Sequence, residues 1–179
     1  SEGKPGHGKR ILLRTFGCQM NTYDSQLAAG ILTQAGFEVV SESEDTEERQ
    51  DMQERPWLSQ GADIVLMNTC SVREHAEDRV YGRLGMLGKE KKIRSELIIG
   101  LMGCMVEEHR EKLFKRFPYL DLMIGTRNIQ ELPELIRQVQ KTRRQAARIK
   151  QEGLSIENSE LIRREKGFHA WLPIMTGCN

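Results

Sequence analysis

The sequence predicts an open, doubly wound α/β domain, with a parallel sheet of about five strands and helices on both faces. Short, nearly continuous apolar segments alternate along the chain with longer segments of helical periodicity. This alternation is typical of buried parallel strands joined by crossover helices. Turn and capping residues separate most of the segments, and 179 residues are enough for one ordinary core with additional segments.

The first half of the chain contains three strand candidates and one clear helix. The apolar segment ILLRTF ends directly before Gly17 and Cys18, and a helix with apolar residues three and four positions apart continues to Gly36. The strand candidates FEVV and ADIVLMNT follow, and the second runs directly into Cys70. In residue numbers, the three strands are predicted at 11–16, 37–40 and 62–69.

The second half continues the alternation. The segment SVRE from Ser71 to Glu74 has the form of a capping box and predicts the start of a helix. A strand at 97–102 leads to Gly103 and Cys104, and a helix follows it. The last strand is predicted at 121–125, and Asn128 and Glu131 are expected to cap a final helix. This order of elements predicts a flavodoxin-like or Rossmann-like sheet.

The composition is that of a globular protein rather than a membrane-spanning or disordered one. Hydrophobic residues make up 38% of the chain and charged residues 30%, and no apolar run approaches the roughly 18–20 residues of a membrane span. Residues 1–9 are small and polar and lack the apolar stretch of a secretory signal, so we expect a flexible tail and a cytoplasmic protein.

Two further stretches lie outside the strand and helix pattern. Residues 41–57 are dense in Asp and Glu and predict a solvated acidic insertion within a domain that spans 10–140. Residues 141–168 begin with a basic run, then lose periodicity, and predict a linker. A solvated face is favoured for the arginines of this region over contact with a nucleic acid. These arginines are Arg143, Arg144, Arg148, Arg163 and Arg164.

Three of the four cysteines occupy equivalent places in the predicted fold. Cys18, Cys70 and Cys104 each follow a strand and precede a helix. Because ligands bind at the carboxyl ends of parallel strands, the three thiols are expected to converge there. The helix N-termini point toward the same edge and stabilise thiolates. Buried cysteines of a core would rarely all fall on such turns.

Three converging thiolates fit three irons of a [4Fe–4S] cluster and leave the fourth iron without a protein ligand. Zinc is the competing metal, because three cysteines and one histidine form a known structural zinc site. His75 and His109 each lie five residues after a candidate cysteine, but an ordinary helix-surface histidine is favoured for both. Dinucleotide binding is disfavoured, since no G-x-G-x-x-G follows the first strand.

Four strings in the chain resemble the N-terminal domain of the iron–sulfur methylthiotransferases. They are TFGCQMNTYDS (15–25), NTCSVREHAEDRVYGRLG (68–85), GLMGCM (100–105) and DLMIGTRNIQELPELI (121–136). The resemblance is greatest to the branch that adds a methylthio group to C2 of N(6)-isopentenyladenosine beside the anticodon of tRNA. Gln-Met-Asn after Cys18 is similar to that branch, whereas the branches that act on a ribosomal protein or on threonylcarbamoyladenosine tend toward Pro-Lys-Asn and Lys-Val-Asn.

The resemblance implies that Cys18, Cys70 and Cys104 hold an auxiliary [4Fe–4S] cluster that takes part in sulfur insertion. It also implies tRNA as a partner, together with a sulfur donor and an electron donor that the sequence does not identify; a monomer is expected. Four residues beside the cysteines are candidates for hydrogen bonds to the cluster, with turn or cap chemistry as the alternative. These are Asn21, Asn68, Ser71 and Arg73.

The last segment resembles the start of a second domain of the same family. AWLPIMTGCN, within 169–179, is similar to the first strand and first cysteine of a radical S-adenosylmethionine domain, so Cys178 matches the first of three ligands of a second [4Fe–4S] cluster. S-adenosylmethionine is thereby implied as a cofactor of the whole enzyme. We expect the present chain to be inactive by itself.

Two other functions remain open at the level of sequence. The first is a methylthiotransferase that acts on a ribosomal protein or on threonylcarbamoyladenosine in tRNA. The second is a flavodoxin-like interaction module without catalysis, carrying a structural metal or none. The second predicts a colourless protein without iron.

Overall fold

A computed structural model describes residues 8–17, 19–43, 58–70 and 74–149. Within these ranges the chain forms one six-stranded sheet in which all neighbouring strands are parallel. The strands are β1 Arg10–Phe16, β2 Glu38–Ser43, β3 Ile64–Thr69, β4 Ile98–Gly103, β5 Leu122–Ile124 and β6 Ala146–Arg148. Their order across the sheet is β2-β1-β3-β4-β5-β6, so the predicted α/β class is confirmed.

The helices cover both faces of this sheet. They are α1 Gln19–Gln34, α2 Glu74–Ile93, α3 Cys104–Arg116 and α4 Leu132–Thr142, with a 3₁₀ helix at Thr126–Glu131. Asn128 and Glu131, predicted to cap a final α-helix, lie in that 3₁₀ helix, and the Asn128 amide donates to the Glu131 carboxylate at 2.8 Å. None of the helices among the described residues has the length and apolar character needed to cross a membrane.

Alternating side chains of the strands build two hydrophobic cores, one on each face. Ile11 and Leu13 of β1 point into the core that α1 and α4 cover. Leu12 and Phe16 of the same strand point into the core covered by α2 and α3. This alternation is the period of two that an extended strand imposes, and burial of both faces explains why the central strands β3 and β4 are almost continuously apolar.

Two details differ from the sequence prediction. β2 continues through Ser43, so residues 41–43 of the predicted acidic insertion belong to the sheet; residues 44–57 lie outside the described part. The second difference is β6, which pairs with β5 inside the range 141–168 that we expected to be a linker.

The position of α4 shows why β6 is hard to anticipate. The strands from β3 to β6 follow one another in one direction across the sheet. However, α2 and α3 cover one face, whereas α4 covers the other together with α1. The crossover from β5 to β6 therefore has the opposite hand to the β3-to-β4 and β4-to-β5 crossovers. Right-handed crossovers are strongly preferred. The handedness rule therefore does not predict a parallel strand beside β5 after a helix on this face of the sheet.

Candidate metal centre

The first, third and fourth strands end level with one another at the carboxyl edge of the sheet. In the parallel register, Phe16 lies opposite Thr69, and Thr69 lies opposite Gly103. The chain therefore leaves three neighbouring strands in adjacent turns that contain Gly17, Cys70 and Cys104. Neighbouring strands are separated by about 4.8 Å. This placement puts the turns of Cys70 and Cys104 next to each other; convergence of the three thiols stays a prediction.

Both described cysteines lie at the carboxyl edge of the sheet. Cys70 directly follows β3 and is buried, and Cys104 is the partly exposed first residue of α3. Neither thiol forms a disulfide. At the first residue of α3, the positive end of the helix dipole lies close to the Cys104 sulfur and favours its thiolate form.

Cys18 lies outside the described residues, but both of its chain neighbours are described. Gly17 ends the turn after β1, and Gln19 begins α1. Gly17 has a φ of 129°, and a Cβ atom built on it would lie 2.5 Å from the Cβ of Cys70 and 2.9 Å from Oδ1 of Asn21. Only glycine allows both this backbone conformation and this approach. The residue before Cys18 is therefore packed directly against the Cys70 turn.

Gly103 makes the corresponding approach from the other side. It has a φ of 102°, and a Cβ atom there would lie 2.5 Å from the carbonyl oxygen of Thr69 and 2.5 Å from Oδ1 of Asn68. The turn before Cys104 thus rests on the backbone that leads into Cys70. Gly17 and Gly103 thus each bring a neighbouring turn into contact with the chain around Cys70.

A buried polar network supports these turns from beneath. Asn21 Nδ2 donates to Asn68 Oδ1 at 3.0 Å, and Asn68 Nδ2 donates to the carbonyl oxygen of Asn21 at 2.7 Å and to Ser25 Oγ at 2.9 Å. The Ser25 hydroxyl is 2.7 Å from that of Thr15. Both amide hydrogens of Asn68 are thereby used, so its side chain joins α1 to β3. Hydrogen bonds from Asn21 or Asn68 to a cluster stay a prediction.

Ser71 and Arg73 lie outside the described residues, directly before α2 begins at Glu74, and Cys178 lies beyond the last described residue. His109 is described. Its Nε2 is 2.9 Å from Oε1 of Glu77, so this histidine contacts a carboxylate of the neighbouring helix.

Sequence reasoning missed an acidic pair, Asp24 and Glu107. Burial, together with the smaller effect of the nearby Glu107 carboxylate, raises the pKa of Asp24 to about 7. Glu107 is held in place by Thr126, whose backbone N–H and hydroxyl donate to Oε1 at 2.9 and 2.8 Å. Asp24 follows Asn21 by three residues in α1, so both lie on one face of the helix. This spacing is the sequence signal by which Asp24 could have been predicted to lie near the cysteine turns.

The donor set and the shape of this edge fit an iron–sulfur cluster. Thiolates are the ligands of such clusters, and Cys70 and Cys104 leave neighbouring strands in adjacent turns. The glycine turns at Gly17 and Gly103 provide the close backbone approaches that assemble the site. The same thiol donors also suit zinc. The thiolate ligands therefore favour soft metal ions but do not by themselves distinguish zinc from an iron–sulfur cluster.

Comparison with known proteins identifies relatives along nearly the whole chain. The profile described as "Uncharacterized protein family UPF0004" matches residues 10–48 and 49–125. A protein of Oceanobacillus iheyensis is 37% identical over 179 residues, one of Dictyoglomus thermophilum is 39% identical over 165, and one of Bacillus subtilis (strain 168) is 35% identical over 177. All three are named tRNA-2-methylthio-N(6)-dimethylallyladenosine synthase.

The relatives are considerably longer than the present chain. The three alignments cover 98%, 92% and 97% of this chain but 31%, 34% and 31% of the respective relatives. The chain thus spans about a third of the length of these enzymes. The family profile covers both glycine-cysteine turns and the Cys70 turn between them. The chain belongs to the UPF0004 family.

Proposed function

We propose that this chain is the auxiliary-cluster domain of a tRNA methylthiotransferase, which adds a methylthio group to C2 of N(6)-isopentenyladenosine next to the anticodon. The observation that carries the proposal is the level ending of β1, β3 and β4, which brings the turns around Gly17, Cys70 and Cys104 side by side. The printed names of the relatives support the choice of reaction.

Cys18, Cys70 and Cys104 would hold three irons of a [4Fe–4S] cluster. When bound, such a cluster supplies sulfur chemistry at an iron that has no protein ligand. The chain's own residues would orient this iron. Cys70 would hold the cluster from a buried position, and the helix dipole of α3 would stabilise the thiolate of Cys104. The Asn21–Asn68 bonds keep α1, which follows Cys18, in register with β3.

The remaining parts of the proposal concern the whole enzyme. Cys178 would be the first ligand of a second [4Fe–4S] cluster in a radical domain that begins within 169–179 and uses S-adenosylmethionine. Residues after Ile149 up to 168 would link the two domains. The reaction needs both domains, so the 179-residue chain by itself is expected to bind a cluster without modifying tRNA.

A tRNA substrate implies a cytoplasmic protein, and we propose that location and a monomeric state. Of the arginines suggested for RNA contact, Arg143 and Arg144 are exposed, and Arg163 and Arg164 lie outside the described residues. Arg143 forms an ion pair with Glu96, and Arg148 bonds to Gln138 and lies 3.4 Å from Glu131. These pairs favour a structural role for Arg148 over RNA contact.

The experiment that tests the reaction is a graft. Residues 10–149 replace the matching segment of the Bacillus subtilis relative, and the purified hybrid is incubated anaerobically with S-adenosylmethionine, a sulfide source and a reductant. We expect methylthiolation of tRNA that carries isopentenyladenosine, and loss of the product in the same hybrid with Cys70→Ala. The unaltered relative serves as the positive control.

Two results of the graft would reject this substrate. Methylthiolation of a ribosomal protein, or of tRNA that carries threonylcarbamoyladenosine, without reaction at isopentenyladenosine would support the other branches of the family. A hybrid that is folded and loaded with iron but transfers nothing would favour an interaction module.

A further inference from the structure

A second group of metal-ligating side chains lies between α2 and α3, outside the cysteine turns. We propose that Glu77, Glu108 and His109 form a binding site for one divalent transition-metal ion. Their ligand atoms, one carboxylate oxygen from each glutamate and one imidazole nitrogen, all lie within 4.8 Å of one another. Zinc, iron(II) and manganese(II) bind at about 2.0–2.2 Å from such atoms, which places ligand atoms of one ion about 3–4 Å apart.

The two helices that supply these groups border one core and are joined by an aromatic contact. Glu77 lies in the first turn of α2, and Glu108 and His109 lie in the second turn of α3. The rings of Tyr81 in α2 and Phe117 after α3 stack with centroids 5.4 Å apart. Both helices pack on the same core, and the Glu77–His109 contact at 2.9 Å joins them. The backbone leaves the helical conformation at Arg110, directly after His109, where φ is 33°.

Carboxylates surround the Tyr81 hydroxyl one turn after Glu77 in α2. Burial raises the pKa of the Tyr81 phenol most, and the carboxylates of Glu77, Asp78 and Glu108 each raise it further, while Arg116 lowers it. Several carboxylates therefore act on one hydroxyl beside the proposed site. Arg110, which follows His109, donates its Nε–H to the carbonyl oxygen of Glu107 at 3.2 Å.

The donor types select the class of ion. Calcium and magnesium prefer sites made of oxygen ligands alone, whereas an imidazole nitrogen combined with carboxylates suits zinc, iron(II) and manganese(II). Three protein ligands leave further coordination positions for water. His109 follows Cys104 by five residues, which corresponds to about 7 Å along the helix, so the site needs no thiolate from the cysteine turns.

The test is titration of the chain with Zn²⁺ by calorimetry. Because thiolates also bind zinc, the starting protein carries Cys→Ser at positions 18, 70, 104 and 178. We expect binding of about one Zn²⁺ per chain, with affinity at least about tenfold weaker in the His109→Gln and Glu77→Gln variants. Glu134→Gln on α4 removes an exposed carboxylate elsewhere and should leave the affinity unchanged.

No zinc binding by the folded protein, or binding that survives His109→Gln at full affinity, would overturn the proposal. If circular dichroism shows that the cysteine-free chain does not fold, the unaltered chain is compared with its His109→Gln variant. The unaltered chain should then bind one more Zn²⁺ than the variant, and equal stoichiometry would refute the site. Neither result depends on whether the cysteines hold a cluster.

Discussion

At the scale of single residues, two glycines determine how closely the three turns approach. Gly17 and Gly103 both have positive φ angles and both touch the turn that contains Cys70. The pairing of each glycine with a following cysteine was visible in the sequence, and so was their common position after a strand. The packing of Gly17 on the Cβ of Cys70 was not visible, because it depends on the register between β1 and β3.

Gly17→Ala is predicted to destabilise the chain by at least about 2 kcal/mol, since it adds backbone strain to a collision with Cys70. Urea denaturation measures the change. Gly61→Ala is the matched control: its φ is 78°, but nothing lies within 4 Å of the added Cβ atom. Gly61→Ala should lower the free energy of unfolding by only about 1 kcal/mol, the contribution of backbone strain. Equal costs for the two variants would contradict the close approach at Cys70.

Asp24 predicts a pH dependence of stability with a definite sign. Its pKa is about 7 in the folded chain against 3.8 for the unperturbed group, so between these values the folded state holds a proton that the unfolded state releases. The contribution of Asp24 to stability therefore falls as the pH rises from about 4 to 7.

The variant Asp24→Asn removes this titration. Relative to the unaltered chain, the variant should become progressively more stable as the pH rises from about 4 to 7, as measured by urea denaturation at several pH values. Thr22→Ala, an exchange in the same helix without a titrating group, should show no such trend. A constant difference between the Asp24→Asn variant and the unaltered chain would contradict the raised pKa of Asp24.

At the scale of elements, hydrophobic runs predicted the buried strands well and the edge strands poorly. β3 and β4 are buried along their whole length, and their continuous apolar sequences identify them. At the two edges of the sheet, β2 ends in the polar residues Ser-Glu-Ser and β6 consists of Ala-Ala-Arg. Edge strands bury less side-chain surface, so pairing through the backbone forms them without an apolar signal.

Two glycines of α2 have opposite predicted effects when replaced by alanine. A Cβ atom at Gly88 would lie 2.6 Å from ring atoms of Tyr119, whereas nothing lies within 4 Å of one at Gly85. Gly85→Ala should stabilise the chain by up to about 1 kcal/mol, because alanine favours the helix. Gly88→Ala should destabilise it by about 1–2 kcal/mol, because displacing the ring outweighs that gain.

Thermal unfolding of the two variants measures this contrast. The transition temperature should rise for Gly85→Ala and fall for Gly88→Ala. A rise in both would show that the Tyr119 ring moves aside freely, and that α2 is less firmly packed against the segment after α3 than the structure indicates.

At the scale of the whole molecule, parallel topology alone explains most of the candidate site. Turns after adjacent parallel strands lie at one edge of the sheet. The positions of Cys70 and Cys104 at this edge could therefore be predicted from the order of the elements. The Asp24–Glu107 pair and the His109–Glu77 contact did not follow, because each joins residues of two helices whose relative rotation the sequence pattern leaves undetermined.

The most direct test of the cysteine centre is the amount of iron and labile sulfide per chain after anaerobic reconstitution. The unaltered chain and the Cys178→Ala control should each bind about four irons and absorb visible light. Cys18→Ala, Cys70→Ala and Cys104→Ala should each lose most of this iron and colour. Folded, colourless, iron-free protein, or iron that persists when Cys70 and Cys104 are replaced, would contradict the assignment of this edge as an iron–sulfur site.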